Sequence, residues 1–200
     1  VIGRLTAGTS LDLVAVDLAT MTIARSASIA ATQDPAETAA FTPDGAYVIA
    51  LEQDFGRPVY AIKIRVADLA VVARSPALEA SLVRSAGGVV LSPDGASGYA
   101  ISDTRVTRFD VATMTPDADD PVDLPGATTG MQPGALLRSA DGQRLYLIQR
   151  TDPATLVAID TGTMHIAFSR TVADASATDT SYWAALSPDG RDVHIGTDAG

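Results

Sequence analysis

The sequence predicts an all-β chain, a β-propeller made of four-stranded antiparallel blades, with about four blades in residues 1–200. Three observations predict it: a turn phrase that recurs four times, a second phrase that keeps the same period, and four short strand-like runs within each period.

The first phrase is Phe41-Thr-Pro-Asp-Gly45, Leu91-Ser-Pro-Asp-Gly95, Arg138-Ser-Ala-Asp-Gly142 and Leu186-Ser-Pro-Asp-Gly190. Its aspartates, Asp44, Asp94, Asp141 and Asp189, are spaced by 50, 47 and 48 residues. Proline fixes φ at the first turn position, Asp bonds its own local backbone, and Gly takes the left-handed conformation that closes a tight hairpin. Residues 1–200 are therefore one propeller domain or a propeller fragment, phased on turns at 41–45, 91–95, 138–142 and 186–190.

The second phrase reads Val14-Ala-Val-Asp-Leu-Ala-Thr-Met21, Thr107-Arg-Phe-Asp-Val-Ala-Thr-Met114 and Val157-Ala-Ile-Asp-Thr-Gly-Thr-Met164. The degenerate copy, Ile62-Lys-Ile-Arg-Val-Ala-Asp68, puts Arg65 in the aspartate's place, and its turn is expected to carry one extra residue. This phrase predicts a hairpin between the third and fourth strands of each blade.

The strands follow in order. First strands precede the Pro-Asp-Gly turn, as in Thr38–Phe41, Gly88–Leu91 and Trp183–Leu186. Second strands follow it: Tyr47–Ala50, Gly98–Ile101, Leu145–Ile148 and Val193–Ile195. Third strands end at Asp17, Arg65, Asp110 or Asp160. Fourth strands are Thr22–Ile29, Val71–Arg74 and Ile166–Val172, with a poor copy where Pro116 and Pro121 interrupt. Small residues such as Ala39, Ala40, Gly88 and Ala184 suit the crowded axis, and Phe41 and Trp183 are expected to pack between blades. No segment has a sustained 3.6-residue apolar period, so almost no helix is expected.

Composition bounds the function. The chain is 46% hydrophobic and 19% charged, which fits a folded core. Net charge is −10 and Lys63 is the only lysine, so nucleic acid and anionic membrane surfaces are poor partners. No apolar run is long enough to insert in a membrane as a helix. The absence of cysteine excludes disulfides, thiolate nucleophiles and cysteine-held metals. The start at Val1, without methionine or a signal-peptide pattern, suggests a mature product or an excised piece.

Ser-Pro-Asp-Gly, an apolar strand and then Val-x-Val-Asp-x-Ala-Thr together resemble the YVTN-type propeller repeat of surface-layer-like and lactonase-like proteins. The resemblance covers nearly the whole chain. It implies a secreted, periplasmic or cell-surface location. Members commonly have about seven blades. Here Val1 aligns near Val48 and Gly200 near Phe55, four periods plus a short overhang. That favours a slice of a larger ring, with further blades from the same or another chain, over a complete four-bladed ring or half of a ring built by two chains.

The chemistry is sparse. Calcium needs six to eight convergent oxygens. Each turn offers one carboxylate, so the turn aspartates are expected to close hairpins. Asp17, Asp110 and Asp160 are expected to be turn caps. His165 falls in an outer strand and His194 in a second strand, so neither suits a haem or metal site. No nucleophile elbow or phosphate loop is present. Asp117-Ala-Asp-Asp120 reads as a solvated loop. The sequence calls for no cofactor, no metal and no catalytic residue.

A site in a propeller belongs at the channel mouth, on the loops entering the innermost strands. Those loops are expected at 32–37, 82–87, 128–134 and 179–183. Their polar and aromatic members are Gln33, Asp34, Glu37, Arg84, Gln132, Tyr182 and Trp183. The favoured reading is a non-enzymatic binding or scaffold module for a protein partner or small ligand at the rim. The alternative is a subunit or fragment of a periplasmic propeller enzyme, a dehydrogenase heavy subunit or a lactonase-like hydrolase, with Glu37 and Arg84 as its best candidates.

Overall fold

The computed structural model describes residues 2–6, 10–30, 34–53, 57–83, 86–102, 104–117, 121–127, 135–149, 151, 153–172 and 182–197. All regular structure among them is strand. The first sheet holds β1 (Ile2–Thr6), β2 (Ser10–Asp17) and β3 (Thr22–Ala30) in that order. The second sheet runs β4 (Asp34–Phe41), β5 (Tyr47–Gln53), β6 (Arg57–Arg65) and β7 (Val71–Arg74), with β8 (Glu79–Val83) also paired to β6. The third holds β9 (Ala86–Leu91), β10 (Ser97–Ser102), β11 (Arg105–Asp110) and β12 (Val122–Asp123). The fourth holds β13 (Leu136–Arg138), β14 (Arg144–Gln149), β15 (Thr155–Asp160) and β16 (His165–Thr171). The last pair is β17 (Tyr182–Leu186) and β18 (Val193–Thr197). Sequence phase makes β1 to β3 the second to fourth strands of a blade, and β17 and β18 the first two.

The Pro-Asp-Gly turns share one hydrogen-bond set. The hydroxyls of Thr42, Ser92, Ser139 and Ser187 each donate to the turn carboxylate at 2.6 Å. The same oxygens accept the amides of Tyr47, Ser97, Arg144 and Asp192 at 2.9–3.0 Å. Glycine φ lies between 68 and 75° in all four turns. These bonds hold Asp44, Asp94, Asp141 and Asp189 below the usual carboxylate range, the hydroxyl bond being the largest cause.

The second turn also has one geometry. The residue four places after the third strand's end is left-handed in each copy: Met21 (φ 55°), Leu69 (58°), Met114 (58°) and Met164 (50°). Asp17, Asp110 and Asp160 cap it by accepting the amides of Thr20, Thr113 and Thr163. The expected extra residue in the degenerate copy is absent: Arg65 and Leu69 stand where Asp110 and Met114 stand. There the carboxylate has moved across the turn. Asp68 accepts the Ala70 amide at 3.2 Å and is held by a two-pronged contact from Arg65.

A bulge follows this turn in three sheets, at Ala15/Val16, Lys63/Ile64 and Ala158/Ile159. In the third sheet Pro116 makes only a single bridge, to Phe109, before the short β12. Bulges and proline blunt outer edges against pairing with other strands.

The core lies between sheets. Ile49, Leu51, Val59 and Ala61 of the second sheet pack with Val89, Leu91, Phe109 and Met114 of the third. Tyr99, Ile101 and Val106 meet Leu145, Leu147, Val157, Ile159 and Met164. Leu13 meets Val48, Ile62, Ile64 and Leu69. Alternate residues of one strand thus serve the two neighbouring seams, which is why these strands are apolar on both faces. Volume is balanced across strands: Gly98 faces Phe109 where the other sheets pair Val48 with Ile64 and Leu145 with Ile159. A Cβ on Gly98 would lie 2.2 Å from the Phe109 ring.

Candidate functional site

The first strands β4, β9 and β13 stand side by side and border a groove of about 530 Å³. Its walls include Ala39, Ala40, Phe41, Val89, Leu91 and Leu136, with Arg138 at one end. Phe41 is 53% exposed along this groove and is not enclosed between blades as expected. Its own blade offers Ala39 and Ala40 around it, too small to cover a phenyl ring. The Arg138 guanidinium donates to the Ser139 carbonyl at 3.0 Å, so its charge is tied to its own turn. The groove exposes polar as well as apolar surface, because Val89, Leu91 and Leu136 turn their side chains into the core. Its walls place no acid, base or nucleophile together.

The candidate residues at the mouth separate into two sets. Gln33, Arg84 and Gln132 lie outside the described residues. Asp34 and Glu37 lie in β4 and Tyr182 and Trp183 in β17, where only the backbone is described. Three of the expected loops, 32–37, 82–87 and 179–183, are therefore partly strand. Asp34 pairs with Gln53 and Pro35 with Glu52, and an irregularity before Ala39 absorbs the proline's missing donor. On the other entry β8 reaches Val83 and β9 begins at Ala86. Tyr182 pairs with Thr197 and Trp183 with Gly196.

The seam between the second and third sheets looks like a site at first sight. Lys63 stands among Asp44, Asp94 and Asp110 in one recess. Its ammonium donates to the Val111 carbonyl at 3.0 Å and lies 4.4 Å from the Tyr47 ring centre. The three carboxylates are turn caps. Every group here already has a structural partner. Among the described residues no three His, Asp or Glu side chains converge as a metal-ligand set.

Sequence reasoning missed the arrangement to which Lys63 belongs. Arg25 donates to the Val66 carbonyl at 3.0 Å and Arg108 to the Thr161 carbonyl at 3.3 Å. Val66, Val111 and Thr161 occupy the same turn position in successive sheets. A cation from each sheet therefore latches the next. Lys63 and Arg108 share a third-strand position, whereas Arg25 sits opposite Ala15 on the fourth strand. Arg108 also binds Asp117 at 2.7 Å, so Asp117 is anchored and is not part of a purely solvated loop. Ala118, Asp119 and Asp120 lie outside the described residues.

One half-buried ion pair stands apart from the seams. Glu52 on β5 is buried and meets Arg74 at 2.8 Å, and Arg74 lies 3.9 Å over the Tyr60 ring. The pair ties the second strand to the fourth within one blade.

No protein-family model matches the chain, and no curated protein matches it. Among solved structures it is similar to the β-propeller domain of Cps50 (Swd1) from Myceliophteria thermophila, with a TM-score of 0.66 and 19% identity. The match covers 98% of this chain and 60% of that one. The fold is a β-propeller. The chain spans about three fifths of the propeller it matches. At this identity the likeness speaks for fold alone, and one propeller architecture carries many activities.

Proposed function

We propose that the chain is a non-enzymatic propeller module of the YVTN-repeat type that binds a protein partner through its channel-mouth loops. The repeat phrases quoted above support the narrower assignment within propellers. The observation that carries the functional reading is the groove itself, walled by Ala39, Phe41, Val89 and Leu136 with its one guanidinium tied to a turn carbonyl. A groove of that composition suits a scaffold better than a catalytic channel. Selectivity is then left to the loop residues Asp34, Glu37, Arg84, Gln132, Tyr182 and Trp183.

The test is affinity capture from cells of the source organism, quantified by mass spectrometry. The native chain is compared with a variant carrying Asp34→Ala, Arg84→Ala and Gln132→Ala. The reading expects at least one abundant protein to be lost from the variant while the melting temperature is unchanged. Captured proteins that are indifferent to the three substitutions would overturn it. So would lactone hydrolysis or dye-linked dehydrogenation by the native chain that Glu37→Ala and Arg84→Ala abolish.

A further inference from the structure

The four copies of the second turn share one backbone, yet one copy has a different environment. Leu69, Met114 and Met164 are buried against the sheet that precedes each of them. Met21 is 75% exposed. Beside it Leu18 is 81% and Ile23 67% exposed. Leu18 occupies the position of Val66, Val111 and Thr161, whose carbonyls receive the cations of the preceding sheets. Among the described residues the Leu18 carbonyl receives none.

We propose that the outward face of the first sheet is a blade-docking surface, and that its occupant is a further blade of this same repeat supplied from outside residues 1–200. Three seams in the molecule define that occupant's chemistry. It presents apolar side chains from its second and third strands over Met21, Leu18 and Ile23. It delivers an Arg or Lys to the Leu18 carbonyl. A second copy of the chain is the wrong size for the place. The aligned region already fills three fifths of the matched propeller, so a copy would add more than the remaining two fifths. A shorter set of blades fits.

Photo-cross-linking tests this directly. p-Benzoylphenylalanine replaces Met21 in the protein expressed in its source organism, and the adducts are mapped by mass spectrometry. A control replaces Phe168, which is exposed on the outer strand β16. The expected adduct at position 21 is a peptide from outside residues 1–200 that carries the repeat phrase and an Arg or Lys in its third or fourth strand. Position 168 gives no such adduct. A Met21→Glu substitution lowers the yield of that association at least tenfold and leaves the melting temperature of the isolated 200-residue chain unchanged. Adducts confined to peptides of residues 1–200, adducts to peptides lacking the repeat, or no adduct at all would overturn the proposal.

Discussion

Met21 and Met114 occupy the same place in the repeat, with φ of 55 and 58°, and differ in almost everything else. Met114 is fully buried between two sheets, while Met21 stands in solvent. The turn backbone is the same with or without a neighbouring blade. Local chemistry therefore sets the turn, and the preceding sheet supplies the burial. Stability in such an array is a sum of blade terms and nearest-neighbour seam terms. The seams contain large side chains, latching cations and stacked turns, and each contribution can be removed separately.

The largest effect is expected at the seam between the second and third sheets. Phe109→Ala should cost about 3–5 kcal/mol, read as a fall in the urea midpoint, because the ring is wholly buried. Gly98→Ala should also destabilise, by about 1–3 kcal/mol, since its methyl has nowhere to go. Joining Gly98→Val to Phe109→Ile copies the Val48–Ile64 pair and should cost less than the sum of the two single changes.

Next comes Arg74→Met, which leaves the buried Glu52 carboxylate without its guanidinium partner. The expected loss is about 2 kcal/mol at neutral pH by chemical denaturation.

Smaller still is a difference between two turns. Gly142 and Gly190 have φ of 75 and 71°, but only Gly142 lies under a proline, Pro93. The turn before Gly190 carries Ala140 in that place. Alanine at either position incurs the left-handed strain, about 1 kcal/mol. Gly142→Ala should cost about 1–2 kcal/mol more, from crowding against Pro93. Equal costs would show that the turns do not stack.

The smallest effect is with pH. Asp44, Asp94, Asp141 and Asp189 are held below their ordinary value by turn hydroxyls and amides. A folded pKa below the unfolded one gives stability that is present above the unfolded value, about 3.9, and is lost as pH falls through the folded one. Thermal melts should therefore be flat from pH 7 to about 5 and decline below about pH 4. Ser92→Ala should reduce that decline, because it removes the main cause of the shift at Asp94.

The sequence made the turns legible because their bonds join residues two to five places apart. Ser92, Asp94 and Ser97 form a unit that any local reading can find. The strand order followed from the same phase. The seam latches were not legible. Their acceptors are backbone carbonyls, and their donors Arg25, Lys63 and Arg108 stand on two different strands. The Gly98–Phe109 exchange did leave a signal. A phenylalanine replaces Val16, Ile64 and Ile159 in the third sheet, and a glycine replaces Val48 and Leu145 in the strand beside it. Propeller phase puts a loop at 32–37, whereas β4 begins at Asp34 and an irregularity before Ala39 accommodates Pro35. The mouth residues rested on propeller geometry alone, with no local chemistry to fix their side chains.

The contrast between Met21 and Met114 is also the most direct measurement. Each is replaced by alanine, and urea unfolding of the two variants is compared with the native chain. Met114→Ala should lose about 2–4 kcal/mol, as a long apolar side chain leaves a packed seam. Met21→Ala should stay within about 0.5 kcal/mol of the native value, as an exposed residue does. Equal losses at the two positions would contradict the account, because burial would then come from the turn and not from the neighbouring blade.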